Sequence, residues 1–187
     1  MMPNTTPSLF YRGSGSPNRS VLYMTTFYDV PADLLIGKLS ALLVERDAVN
    51  MPEWATYVKT GTHRENPPAQ EDWWATRAAA ILRKVGTSGP VGVNQLASMY
   101  GGARNRNSKP NRAKRGSRHV IRTILIQLQE SGYVESILHK VIEDEDGEKM
   151  NLYKGRSLTS AGQKILDEAA HSVRNDANEL HEGLAKY

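Results

Sequence analysis

The residues with the most evident chemistry in this 187-residue chain are cations. From Tyr100 to Arg122 the sequence YGGARNRNSKPNRAKRGSRHVIR carries eight Lys or Arg side chains, three glycines and no Asp or Glu. Arginine offers two N–H groups in a planar fork that fits a phosphate, and glycine lets a backbone approach a ligand closely. The combination suits binding of a phosphate polymer rather than making or breaking bonds. Other reactive types are scattered. His63 stands two residues before Glu65, and His119 and His139 are isolated. None has H-E-x-x-H or comparable ligand spacing, so solvated histidines are the expected reading. Ser157 and Ser160 lie in no nucleophile-elbow motif. Gly101-Gly102 lacks the preceding strand and the G-x-x-x-x-G-K-S/T spacing of a nucleotide loop and reads as a turn. Cysteine is absent, which excludes disulfides, thiolate metal sites and a thiol nucleophile together and is compatible with the cytosol. No catalytic residue, metal site, cofactor or small-molecule substrate is assigned.

The formal net charge of +4 conceals a segregation. Met1 to Asp72 holds six basic and eight acidic residues, and Glu130 to Tyr187 holds seven and twelve. Between Trp73 and Gln129 there are eleven basic residues and no Asp or Glu. Surface charge ordinarily mixes signs, and like charges this dense repel one another in a compact state. A polyanion whose condensed counterions are released on binding offsets that repulsion, so nucleic acid is the leading partner.

The elements that must carry these cations read mostly as helix. In PADLLIGKLSALLVER, from Pro31, Leu35, Leu39, Leu42 and Val44 fall at helical spacing, with Asp33 in the first turn where the dipole favours an anion. MPEWATYVK predicts a short second helix, and Gly61, Pro67 and Pro68 break the chain after it. Asp72 is placed as N-cap of DWWATRAAAILRKV, with Trp73, Ala80, Ile81 and Val85 inward and Arg77, Arg83 and Lys84 on a wet face. Packing is expected for Trp54 and Trp73, and partial exposure for Trp74. GTSGP ends that helix, and VGVNQLASMYGG gives another short one. Ser117 caps RHVIRTILIQLQESG, in which Val120, Ile121, Ile124, Leu125 and Leu128 form an apolar stripe and Gly132 the stop. Arg118, His119 and Arg122 cluster in its first turns, against the helix dipole but in favour of a bound phosphate. A hairpin follows, with Asp146-Gly147 as its turn, and then a helix returning Leu158, Ile165 and Leu166 to the core.

Residues 1–23 have no period to bury and read as a disordered leader, with Met24 an alternative start; 24–170 form a single domain and 171–187 a flexible polar tail. The longest apolar runs, near Leu34 to Val44, fall short of the roughly 18 residues that span a bilayer. Helix, short helix, basic helix and hairpin define the fold class: mainly α, a winged-helix-like core with a β-hairpin wing and additional N-terminal helices. The segment Gly101 to Gly116 exceeds the turn of about 3 to 4 residues in a helix-turn-helix. It reads as a flexible arginine-rich loop suited to an irregular RNA surface and ordered on binding it. A winged-helix DNA-binding regulator is the alternative, and an RNA-processing enzyme finds no paired carboxylates in the basic region.

YDVPADLLI (Tyr28 to Ile36), PEWATYVKTGTHRENPP (Pro52 to Pro68), DWWATRAAAILRKV (Asp72 to Val85), GPVGVNQLASMYGG (Gly89 to Gly102), KPN (Lys109 to Asn111), RGS (Arg115 to Ser117) and GRSLTSAGQKILD (Gly155 to Asp167) together resemble the archaeal and eukaryotic small-subunit ribosomal protein nineteen-e family, over about Met24 to Ala170. The resemblance implies a structural, non-enzymatic protein of the cytoplasmic ribosome, in the head of the small subunit. It implies contact with small-subunit ribosomal RNA and neighbouring head proteins, a part in subunit maturation, and no membrane. The RNA-binding positions it implies are Lys59, Thr60 and Gly61; Arg77, Arg83 and Lys84; and Arg104, Arg106, Lys109, Arg112, Lys114, Arg115, Ser117, Arg118 and Arg122. The leader and the acidic run Glu143 to Glu148 depart from the family pattern, and the latter is expected to face solvent or a basic neighbour.

Overall fold

In a computed structural model of the chain, which describes residues 25–143 and 149–180, the leucine stripe of the first helix sets the core. This helix, α1 (Ala32–Glu45), buries Leu35, Leu39 and Leu43 completely. The stripe runs through Leu43 rather than Leu42 or Val44, because steps of four residues keep one face of a 3.6-residue helix; Leu42 is half-buried and Val44 is exposed. Against α1 pack α2 (Trp73–Ser88) and α5 (Ser160–Leu180). Between α1 and α2 the expected short helix is a single tight turn, Glu53–Thr56.

Helix α2 buries Trp73, Trp74, Ala78, Ala79, Ile81, Leu82 and Val85, a broad apolar face, while Ala80 is only half-buried. Trp74 is 2% exposed against 8% for Trp73, the reverse of the sequence expectation. Its indole Nε1–H donates to Gln127 Oε1 (3.1 Å), and Trp54 and Trp73 meet its ring edge-on. With its one polar group satisfied, tryptophan can be buried outright. Asp72 precedes the helix, but its carboxylate makes no capping bond; its carbonyl accepts from the Thr76 amide and hydroxyl.

After α3 (Val93–Met99) the chain departs from expectation. The segment read as an irregular loop is a two-stranded antiparallel hairpin, β1 (Gly102–Arg106) and β2 (Lys109–Lys114), turning through Asn107 at φ +58°. Its base is clamped from outside. The Gly116 amide donates to the Ala97 carbonyl (2.8 Å), the Ser117 amide donates to the Thr60 carbonyl (2.8 Å), and Gly61 and Gly116 pair as an antiparallel bridge. Gly116 is buried, and a Cβ there would sit 2.8 Å from the Tyr100 carbonyl oxygen.

Helix α4 (Arg118–Glu130) follows the sequence reading: Ser117 Oγ accepts from the Val120 amide, Val120, Ile121, Ile124, Leu125 and Leu128 are buried, and Gly132 at φ +75° ends the turn. The second hairpin pairs β3 (Val134–Glu143) with β4 (Lys149–Leu158), and Val91 forms a one-residue bridge to Arg156 on β4. The Asp146-Gly147 turn with its acidic tip, the leader to residue 23 and residues 181–187 lie outside the described residues. Helix α5 corrects the expected tail: it continues to Leu180, burying Val173 and Ala177 beyond Ile165, Leu166, Ala169 and Ala170. Leu158 is half-buried against this core. Arg46 Nη2 donates to both carboxylate oxygens of Glu168 (2.8 Å each), fastening α5 to the end of α1.

Candidate nucleic-acid interface

The hairpin β1–β2 places cations against one another. Arg104 pairs directly with Arg112, Gly102 with Lys114, and Arg106 with Lys109 after a register shift. Like charges directly opposite on neighbouring strands destabilise a hairpin. Arg104, Asn105, Arg106, Asn107, Arg112 and Lys114 line a shallow concavity of about 440 Å³. The Arg106 guanidinium donates to the Pro110 carbonyl (3.4 Å), and the Asn105 amide to Glu65 Oε1 (3.2 Å). None of the eleven cations between Trp73 and Gln129 forms an ion pair among the described residues, where the salt bridge found is Arg46–Glu168. Hydrogen-bond donors are therefore concentrated on one hairpin whose own strands hold no carboxylate, with Glu65 at its edge bonded to Asn105 rather than to a cation.

Arg115, Arg118 and Arg122 continue this surface, all exposed. Arg118 and Arg122, four residues apart, lie on one side of α4, and Arg118 Nη1 donates to Asn94 Oδ1 (3.4 Å). Lys59 is exposed beside Thr60, whose carbonyl receives the Ser117 amide, so the loop carrying Lys59, Thr60 and Gly61 is held against the start of α4. Lys109 and Lys114 are exposed on β2. The structure thus gathers Lys59, Ser117 and the cations from Arg104 to Arg118 around one hairpin and one helix start.

The α2 cations differ from the wet face expected for them. Arg77, Arg83 and Lys84 are half-buried. Arg77 stacks over Tyr100, its Cζ 4.4 Å from the ring centroid. Burial pulls the Arg77 guanidinium below its ordinary pKa, and Arg64 adds to the depression while Tyr100 opposes it. Burial likewise raises the Tyr100 phenol, with Arg77 and Arg83 acting in the other direction. Arg83 Nε and the Tyr100 hydroxyl are buried with no hydrogen-bond partner among the described residues. Arg77 faces a cleft of about 1010 Å³ lined also by His63, Arg64, Glu65, Asn105 and Asn111, which Arg83 and Lys84 do not line.

His63 is not a solvated histidine. It is half-buried, Nδ1 has no hydrogen-bond partner among the described residues, and Cβ atoms added at Gly61 or Gly102 would meet its ring. Burial first, then Arg64 and Arg77, hold its pKa below the usual value, which keeps it neutral. His119 lies exposed beside Trp54 and His139 exposed on β3. No group of three His, Cys, Asp or Glu among the described residues could hold a metal ion, and no described helix is long and apolar enough to cross a membrane.

One cation outside the sequence-derived set belongs to this surface. Arg156 on β4 is half-buried, and its Nε–H donates to Gln129 Oε1 (3.1 Å) on α4. It lies in the acidic C-terminal part of the chain, where charge counting gives no signal; only its place in GRSLT marked it.

The described residues form a helical scaffold that displays two antiparallel hairpins and an exposed cationic surface with Glu65 at its edge. The sequence profile described as ribosomal protein S19e matches residues 26–176, and the chain belongs to that family. The family is one of structural ribosomal proteins, not of enzymes. Among its relatives, the small ribosomal subunit protein eS19 of Haloarcula marismortui is 42% identical over 151 residues, covering 79% of this chain and 90% of its own. That of Aeropyrum pernix is 36% identical over 166 residues, covering 88% and 99%. The fission yeast Schizosaccharomyces pombe protein eS19B is 34% identical over 148 residues, covering 79% and 94%.

Proposed function

We propose that this chain is a structural component of the small ribosomal subunit. It binds small-subunit ribosomal RNA in the head through the β1–β2 hairpin and the first turns of α4, and it supports maturation of that subunit. The observation that carries the reading is the direct pairing of Arg104 with Arg112 on a hairpin that holds no carboxylate. An arrangement that weakens the hairpin in isolation is offset when phosphates bridge the guanidinium groups and release their counterions. Its relatives are named as small ribosomal subunit proteins; in this reading the RNA of that subunit is the polyanion and the cytoplasmic ribosome the compartment. Neighbouring head proteins complete the set of partners, and the protein works by positioning, with no substrate turned over.

The winged-helix-like reading of the core is supported by α2, α3 and α4 followed by the β3–β4 wing, with the Val91–Arg156 bridge standing as a minimal third strand. In such a core α4 is the helix that lies along nucleic acid, and here the cations of its first turns are exposed. The domain runs from residue 24 through the end of α5.

The test is co-sedimentation with small subunits of a variant in which Arg104, Arg106, Arg112 and Arg115 are all alanine. Loss of incorporation with an unchanged thermal midpoint is expected. A variant that sediments with small subunits as the parent does would remove the hairpin as the binding site.

A further inference from the structure

Arg156 stands where the base of the β3–β4 wing meets α4, near the charge of Arg122. Arg122 and Gln129 are seven residues apart on α4, two turns along one side of the helix and about 10 Å in rise. Gln129 Oε1 receives two bonds from the wing, from Arg156 Nε (3.1 Å) and from Ser136 Oγ (3.1 Å), the cross-strand partner of Arg156. That bond fixes the plane of the Arg156 guanidinium and leaves both Nη groups without a partner among the described residues. Around it a concavity of about 430 Å³ is lined by Gly92, Gln129, Ser136, Tyr153, Lys154 and Arg156, two cations and no acid. Glu135, the nearest carboxylate in sequence on β3, accepts from Ser157 on the other face of the hairpin. Burial and the charge of Arg122 both depress the Arg156 pKa, as expected of a guanidinium lacking a counter-charge. A half-buried, unpaired arginine beside a second arginine costs stability, and a bound anion removes that cost.

We propose that Arg156, with Lys154, is a second RNA-phosphate subsite between α4 and the base of the β3–β4 wing. It makes the wing a positioning element that holds the RNA at a point separate from the Arg104–Arg112 hairpin. The inference rests on the rRNA-binding reading above and adds to it a site that the charge run does not contain.

Salt dependence of binding separates the two. The full chain is titrated with in vitro transcribed small-subunit rRNA across a salt series, as the parent, as Lys154→Gln/Arg156→Gln, and as Arg104→Ala/Arg112→Ala. Each lost phosphate contact lowers the slope of log K against log salt by about 0.7 to 0.9. The Lys154→Gln/Arg156→Gln variant is expected to lose about 1.5 units of slope and to melt close to the parent, since relief of the repulsion between Arg156 and Arg122 offsets the lost bond to Gln129. Should it bind with the parental slope while Arg104→Ala/Arg112→Ala does not, the subsite is refuted and the rRNA-binding reading stands. If neither pair changes the slope, both fall. Should Arg156→Gln prevent folding, Lys154→Gln alone decides, with a loss of about 0.8 expected and no loss overturning the proposal.

Discussion

The Arg77 guanidinium lies over the Tyr100 ring, 4.4 Å from its centroid, and so joins the middle of α2 to the residue that opens the cationic hairpin. The contact is half-buried, and it fixes where the hairpin leaves the helical body. A cation over an aromatic face contributes about 0.5 to 2 kcal/mol, more as water is excluded. Arg77→Ala is therefore expected to lower unfolding stability by about 1 to 2 kcal/mol, whereas Tyr100→Phe, which keeps the ring and removes an unpartnered hydroxyl, should leave it nearly unchanged. Urea denaturation of the two variants checks this, and equal losses would show that the hydroxyl, not the stack, carries the contact.

Gly116 predicts a larger effect by a different cause. A methyl group at this buried position would stand 2.8 Å from the Tyr100 carbonyl oxygen, and both are backbone, so neither can swing aside. Gly116→Ala should cost about 1 to 3 kcal/mol and loosen the hairpin base. Amide hydrogen exchange is the sensitive readout, with faster exchange expected at the Gly116 and Ser117 amides that donate to Ala97 and Thr60.

The hairpin arginines predict opposite signs for stability and binding. Removing one member of the Arg104–Arg112 pair relieves a like-charge contact, so Arg112→Ala should raise or preserve the melting temperature of the isolated protein while weakening RNA binding. A drop in both together would make Arg112 a packing residue instead.

His63 predicts a pH effect whose sign follows from burial. Its folded-state pKa lies below the ordinary histidine value, so the unfolded chain takes up the proton first as pH falls. The contribution of neutral His63 is present in full above about pH 6.5 and is lost as pH drops through the folded-state value. Thermal melts from pH 8 to pH 5 should show a falling midpoint, and His63→Gln should flatten that dependence.

How far the chain could be read in advance depended on where each element finds its partners. Helix α4 was legible because Val120, Ile121, Ile124, Leu125 and Leu128 repeat at helical spacing between a serine cap and a glycine stop, all within one stretch. The β1–β2 hairpin was not, since GARNR and KPNRAK contain no β-branched or aromatic side chain; what holds the pair is the distant clamp of Thr60 and Gly61 on Gly116 and Ser117. The end of α5 was mistaken for a tail because its inward positions include alanines, which give little apolar signal. Trp74 depended on Gln127, and Arg156 on Gln129 and Arg122, neighbours in space that no local pattern brings together. The cationic surface was legible as charge and not as geometry: Arg104, Lys109, Arg112 and Lys114 of the hairpin and Arg118 and Arg122 of α4 stand exposed, while Arg106 is half-buried and Arg77 and Arg83 are bound into packing.

A density map of a small ribosomal subunit carrying this chain tests the central claim most directly. It should show ribosomal RNA phosphates within hydrogen-bonding distance of the Arg104 and Arg112 guanidinium groups, with the backbone continuing past Arg115 and Arg118. A hairpin projecting into open solvent, with no nucleotide near either arginine, would contradict the account.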